Sequence, residues 1–327
     1  MHVTAPVVMP FVELLDQPIS VAAKTDVLWA LAYLSDGEEQ KIDLVVGTGV
    51  APKLIRLLED AKFGSSGKMP VVRILGNFVS GNEIKTQTAI DAGILNHLGR
   101  LLGNKKKQMR KESSWLASNI ACGSQKQITM LVNKSRILNE IIKNAKNDAW
   151  EVKKEALWAV ANICTSGNQN HILSLVDAGG LEPLVASLQV GSMDPTQLLV
   201  ILDALGKVLE VGEAYTALNY VGIIEEYGGI DYLENLQTHP NELVYNRVVH
   251  LIETYLGAEE EADENLAPVM NDSGTFGFGF DQGLASPKQL FQNFDEPENN
   301  SSSSGAQPFG SVSTNAFHGS SNTFYPI

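Results

Sequence analysis

The sequence predicts an all-α, right-handed superhelical solenoid followed by a disordered tail, and three observations carry the prediction. One segment recurs along the chain: "KTDVLWALAYLSDG", "KMPVVRILGNFVSG", "RKESSWLASNIACG" and "KKEALWAVANICTSG" align with Trp29, Arg73, Trp115 and Trp158 in one register, spaced 44, 42 and 43 residues apart. A weaker fifth copy, "QLLVILDALGKVLE", places Asp203 in that register 45 residues further on. A second marker keeps the same beat, with glycines 49, 93, 179 and 228 in "GTGVAPKLIRLL", "DAGILNHLGRLL", "DAGGLEPLVASL" and "YGGIDYLENL". Finally, no segment alternates apolar and polar residues as a half-buried strand would. A helical period in the low forties marks armadillo or HEAT arrays, whose units bury their apolar faces only by stacking on one another.

The units follow in order. "VMPFVELLDQPISVAAKTDVLWAL" supplies the last two helices of an incomplete first unit. Each later unit reads as a glycine turn, a helix of about ten residues, a short loop and a helix closed by Ser-Gly or a near equivalent. The copy "NKSRILNEII" lacks the marker glycine, and "AKFGSSGK" lengthens one loop in a way expected to be neutral. The array of five to six units closes with "NELVYNRVVHLIETYLG" near Gly257, giving a solenoid over 1–257. Residues 258–327 are acidic and rich in Gly, Ser, Asn and Phe, without periodicity. Such a composition cannot bury enough apolar surface to offset its ordering entropy, so disorder is expected there.

Charge and composition exclude several classes. The chain of 327 residues carries a formal net charge of −14. From Ala258 onward, ten acids face the single base Lys288, so nine of those fourteen charges sit in the tail. An acidic chain without a basic stripe is a poor nucleic-acid binder, and its natural partners are basic. The N-terminus shows neither the basic n-region nor the cleavage site of a signal peptide, and no apolar run is long enough for a membrane helix. Cys122 and Cys164 are too few for a disulfide framework or a zinc site and point to a reducing compartment. The six histidines show no metal-ligand spacing, and no cluster of acid, base and nucleophile recurs. No metal, cofactor or enzymatic activity is therefore expected. "GTGVAP" and "GFGFDQG" lack the strand, helix and lysine of a phosphate loop. The bases of "NKKKQMRKE" read as a solvated loop and helix start, and the tail's "TFGFGF" and "QPFG" as low-complexity coincidence.

The off-core residues carry the functional reading. In "VKKEALWAVANICTSG", Val152, Ala156, Ala159, Val160 and Ile163 form one apolar stripe at helical spacing. Glu155, Trp158 and Asn162 form a second stripe beside it, repeated as Glu112, Trp115 and Asn119 one unit earlier. Asp26, Trp29 and Tyr33, with Asp36 beyond them, form a related upstream set, and the intervening unit has Arg73 and Asn77. On successive last helices such a stripe becomes a ladder across the concave face. Its Asn rungs are suited to the backbone of an extended peptide. Its indoles are suited to the stem and charge of Lys or Arg, at about 0.5 to 2 kcal/mol of cation–π attraction. Its acids are suited to a charge-assisted bond of about 1.5 to 3 kcal/mol. The amides are expected to face solvent in the free protein, and Lys207, standing where a further Asn would fall, ends the ladder at Asn162.

The repeats "DVLWALAYLSDG", "ESSWLASNIACG" and "EALWAVANICTSG" resemble, unit by unit over about 250 residues, the C-terminal half of importin alpha (karyopherin alpha), the armadillo adaptor for nuclear localisation signals. The resemblance implies a protein of cytoplasm and nucleus that carries basic cargo. It also assigns Arg73, Asn77, Val79, Glu112, Trp115, Ser118, Asn119, Glu155, Trp158 and Asn162 to a minor-type peptide site. The last units, including "YGGIDYLENLQTHPNELVYNRVV", resemble the region engaged by the nuclear export receptor. The family's basic N-terminal segment, which binds importin beta and folds back on the groove, is not among these 327 residues. If they are the complete chain, coupling to importin beta is not expected and the groove stands open; if they are a piece of a longer chain, neither follows. A general armadillo scaffold for signalling or adhesion is the alternative, one that would lack the acid–Trp–Asn register.

Overall fold

The computed structural model describes residues 5–189, 193–215 and 219–257, with two short segments at 269–270 and 276–277. The chain divides into two compact units, Met1–Leu256 and Gly257–Ile327. In the first, helices α1 (Ala5–Leu14) and α2 (Val21–Leu34) make the incomplete opening repeat. Four three-helix repeats follow. They are α3 (Glu39–Val46), α4 (Ala51–Glu59) and α5 (Ser65–Val79), then α6 (Glu83–Ala92), α7 (Leu95–Leu102) and α8 (Lys107–Ala121). Next come α9 (Gln125–Val132), α10 (Ser135–Asn147) and α11 (Trp150–Ser166), then α12 (Gln169–Asp177), α13 (Leu181–Ser187) and α14 (Pro195–Ala214). The array ends with α15 (Tyr220–Glu226), α16 (Gly229–Leu236) and α17 (Glu242–Leu251), whose last turn widens to a π-helix over Ile252–Leu256.

Three helices per repeat is one more than the glycine-and-two-helix pattern predicts. The additional first helix is short, and its signal is a cap rather than a stripe. Asn82 Oδ1 accepts from the Lys85 N–H at 3.2 Å and Asn168 Oδ1 from His171 at 3.2 Å, and Gln127 Oε1 accepts from the Ser124 N–H at 3.1 Å. Each of these caps follows the glycine that ends the previous helix, or stands directly beside it, and satisfies a donor the first turn would otherwise leave open. The marker glycines behave as expected. Gly49, Gly93, Gly179 and Gly228 have φ of 67°, 109°, 87° and 73°, a left-handed conformation that costs other residues about 1 kcal/mol or more. The copy without glycine turns from α9 into α10 through Asn133 and Lys134 at negative φ.

The predicted core stripe is buried: Val152, Ala156, Ala159, Val160 and Ile163 are each 0% exposed. Successive last helices α2, α5, α8, α11, α14 and α17 pack side by side, so each is neighbour to the next. Polar ties between units also span one repeat. Lys85, 4% exposed, pairs with Glu39 at 2.7 Å and Asp43 at 2.9 Å, and Arg110 grips Asp148 through two bonds of 2.5 and 2.8 Å. Lys107 pairs with Glu151 at 2.7 Å and Lys106 donates to Ser66 at 2.9 Å. The basic cluster read as a solvated loop is therefore stitched to its neighbours. The inserted loop is anchored too, by Phe63, which is 3% exposed. The disorder expected of 258–327 lies outside the described residues, except that Val269–Met270 and Phe276–Gly277 pair antiparallel. Among the described residues no helix is long and apolar enough to cross a membrane.

Candidate peptide-binding groove

The second stripe lies on the exposed flank of the last helices, as its spacing predicts: Glu155, Trp158 and Asn162 on α11, and Trp115 and Asn119 on α8, are all half-buried. Trp115 leans toward α5. A Cβ on Gly76 would overlap the indole edge, so this residue must be glycine for the ring to lie where it does. Arg73, one turn earlier on α5, holds its Cζ 5.2 Å from the Trp115 ring centroid. Its Nη1 also donates to Glu112 Oε2 at 3.0 Å, and Gln108 Nε2 donates to the other carboxylate oxygen at 3.0 Å. Glu112 is thus a buried, fully engaged carboxylate rather than the rim acid its spacing suggested. Trp158 leans the other way: with the Gln197 amide turned so that its oxygen faces them, Trp158 Nε1 and Lys154 Nζ donate to it at 3.2 and 3.1 Å. The two indoles therefore tilt apart, one supported by α5 and the other by α14.

The asparagines correct the expectation that their amides face solvent. Asn77, 2% exposed, donates through Nδ2 to the Ala32 carbonyl at 3.0 Å and to Ser35 Oγ at 2.9 Å. Asn162 Nδ2 donates to the Ser118 carbonyl at 3.0 Å. Both carbonyls belong to the last turn of the preceding last helix, where that of Ala32 also accepts from Ser35 Oγ at 3.1 Å and that of Ser118 from the Cys122 N–H at 3.2 Å, so each amide adds a second donor that ties one repeat to the next. Asn119 is the exception: its Nδ2 is buried and meets no acceptor within the described residues. Val79, at 2%, and Ser118, at 5% exposed, are buried too, and Ser118 Oγ donates to the Trp115 carbonyl at 2.8 Å.

Glu155 differs from Glu112. Its carboxyl makes no hydrogen bond or ion pair among the described residues, and burial raises its pKa. Lys111, Lys154 and Arg73 oppose that rise at longer range, and the Glu112 carboxylate adds to it. Upstream, Asp26, Tyr33 and Asp36 are exposed, and Trp29 is half-buried with its ring centroid 6.1 Å from that of Tyr33. Downstream the register is taken up by ion pairs at the surface. Asp203 pairs with Arg247, and Lys207 pairs with Glu210 at 2.7 Å. The functional neighbours that spacing did not reveal are Gly76, Gln108, Lys111 and Gln197. Arg247 also went unread, although it continues the register 44 residues after Asp203. Among the described residues no group of His, Cys, Asp and Glu is placed to hold a metal.

An armadillo/beta-catenin-like repeat profile matches residues 82–122, and an atypical armadillo repeat profile matches 219–269, running past Gly257. Importin subunit alpha-4 of Arabidopsis thaliana is 37% identical over 271 residues, covering 80% of this chain and 49% of that protein. The chain belongs to the importin alpha family. Importin subunit alpha-1b of Oryza sativa subsp. japonica is 36% identical over 79% of this chain and 48% of its own length. This importin alpha relative thus spans about half the length of the curated relatives it matches. Among solved structures, a designed armadillo repeat protein in complex with the peptide (KR)4 superposes with a TM-score of 0.65 at 29% identity. It covers 76% of this chain and 99% of the designed one.

Proposed function

We propose that this protein is a nuclear import adaptor that binds basic localisation peptides in extended form across α5, α8 and α11. Glu155 carries the reading: a half-buried carboxyl with no hydrogen-bond or ion-pair partner among the described residues, beside the Trp158 ring, is a seat for an incoming cation. Taking such a cation relieves the desolvation cost of the carboxylate, and the adjacent indole face adds cation–π attraction. The orphan Nδ2 of Asn119 wants an acceptor that a peptide carbonyl supplies. The designed neighbour is in complex with the Lys-Arg peptide (KR)4, which agrees with this chemistry. On this reading the protein works in cytoplasm and nucleus, with basic cargo proteins in the groove and the α15–α17 end as the surface for the export receptor. The reaction is reversible binding, and no bond is made or broken.

A fluorescent Lys-Arg peptide titrated into the full chain should bind with micromolar or better affinity, weakening as salt rises. Glu155→Lys should abolish that binding, since it replaces the acid with a cation among Lys111, Lys154 and Arg73. Absence of binding at low salt in the wild-type protein, or full binding by Glu155→Lys, defeats the proposal.

A further inference from the structure

We infer that Arg73 is a resident cation of the groove, filling the Trp115 face and the Glu112 carboxylate so that an incoming basic side chain is directed to Glu155. The inference rests on the peptide-binding reading above and adds a residue that sets which rung the cargo uses. Three contacts support it. The guanidinium lies over the indole at 5.2 Å, within the range of cation–π attraction. It also donates to Glu112 at 3.0 Å, where the side chains are only 18% and 10% exposed, so solvent screens the pair weakly. Gln108 holds the second oxygen of Glu112.

A lysine arriving at that rung would have to evict Arg73 from Glu112 and the Trp115 face, exchanging one cation for another with little gain. At Glu155 the same lysine meets a carboxyl that no donor holds. The difference between the two rungs follows from exchange against fresh pairing. Arg73 thus confers register, because a peptide that slides from the Glu155 rung to the Glu112 rung exchanges a carboxyl with no bonded partner among the described residues for one that Arg73 and Gln108 already hold. The arrangement is also local: Arg73 and Gly76 stand one turn apart on α5, so a single helix face both seats the Trp115 ring and occupies its charge.

The test uses the full chain with the Lys-Arg peptide as probe. Arg73→Met removes the charge and keeps the stem, and should tighten peptide binding about five- to tenfold by opening the second rung. In the Glu155→Gln background the same change should recover binding that Glu155→Gln alone loses, whereas Arg73→Lys, which keeps a cation at that rung, should not recover it. Unchanged or weaker binding by folded Arg73→Met overturns the inference. A peptide-free readout separates this from the groove reading itself. Acrylamide quenching of the Trp115 fluorescence component, isolated by difference against Trp115→Phe, should rise when Arg73 is removed. If wild type binds no peptide yet quenching rises, the groove reading fails and the resident contact stands. If quenching does not change, the resident contact fails. Should Arg73→Met not fold because Glu112 is left charged and buried, the double variant Arg73→Met with Glu112→Gln removes both charges and gives the same quenching test.

Discussion

Replacing Gly76 by alanine sets two effects of opposite sign against each other. An α5 interior alanine is favoured over glycine by about 0.8 to 1 kcal/mol of helix propensity, so a methyl in free space would raise stability. The methyl here is not in free space: its position overlaps the Trp115 ring edge, and two further ring atoms lie at 2.9 and 3.3 Å. Overpacking of that kind typically costs about 1 to 3 kcal/mol if the ring stays. The ring can instead swing off α5, and it then loses the Arg73 contact at 5.2 Å. The expected result is a melting temperature that is unchanged or lowered by a few degrees, with an altered Trp115 environment and weaker peptide affinity. Thermal unfolding by circular dichroism and peptide titration on the same preparation measure both. An alanine variant that melts higher by the full propensity gain and binds as wild type would falsify the placement of Trp115 on α5.

The asparagines should separate by role. Asn77→Ala breaks two buried bonds and should cost about 1 to 3 kcal/mol of stability in urea unfolding, while Asn119→Ala, which removes an orphan donor, should leave stability unchanged or improved and weaken only peptide binding. Peptide affinity should climb with pH through the raised Glu155 pKa and flatten above it, because a bound cation favours the carboxylate and expels its proton; Glu155→Gln should erase that slope in titrations across the acid range. Stability moves the other way: a folded-state pKa above the unfolded one gives a contribution present below the ordinary carboxylate pKa and lost as pH rises through the raised value. Asp148, whose pKa the Arg110 hydrogen bonds lower against the opposing effect of burial, stabilises above the ordinary carboxylate pKa and loses that contribution as pH falls through its lowered value; Asp148→Asn should cost about 1.5 to 3 kcal/mol at neutral pH and flatten the acid limb of the stability profile.

The repeat, its glycine turns and the two stripes of each last helix were legible because they rest on local rules. Left-handed φ selects glycine, and 3.6-residue spacing sorts apolar from polar faces. The short first helices were missed because they carry one apolar turn each and are announced only by Asn82, Ser124 or Asn168 beside a glycine. The register also placed Trp115, Asn119, Glu155 and Trp158 on one flank. It could not say which of two identical acids is already spoken for, since that depends on Arg73 and Gln108 reaching Glu112 and on nothing comparable reaching Glu155. Nor could it tell that Asn77 and Asn162 turn back to the preceding helix, because an amide that caps a neighbour and one that awaits a ligand have the same sequence.

Those two asparagines have a mechanical consequence. Stretched end to end, the array would carry tension through junctions of unlike stiffness. The α2–α5 and α8–α11 junctions are pinned by short, directional amide bonds to backbone, which break abruptly over a fraction of an ångström. Between them, α5 and α8 are joined by an indole laid on a glycine, by the Arg73–Glu112 pair and by the Lys106–Ser66 bond, while the Asn119 amide makes no such tie among the described residues. Load there passes through side chains rather than through an amide fixed to backbone, and that junction lies within the groove.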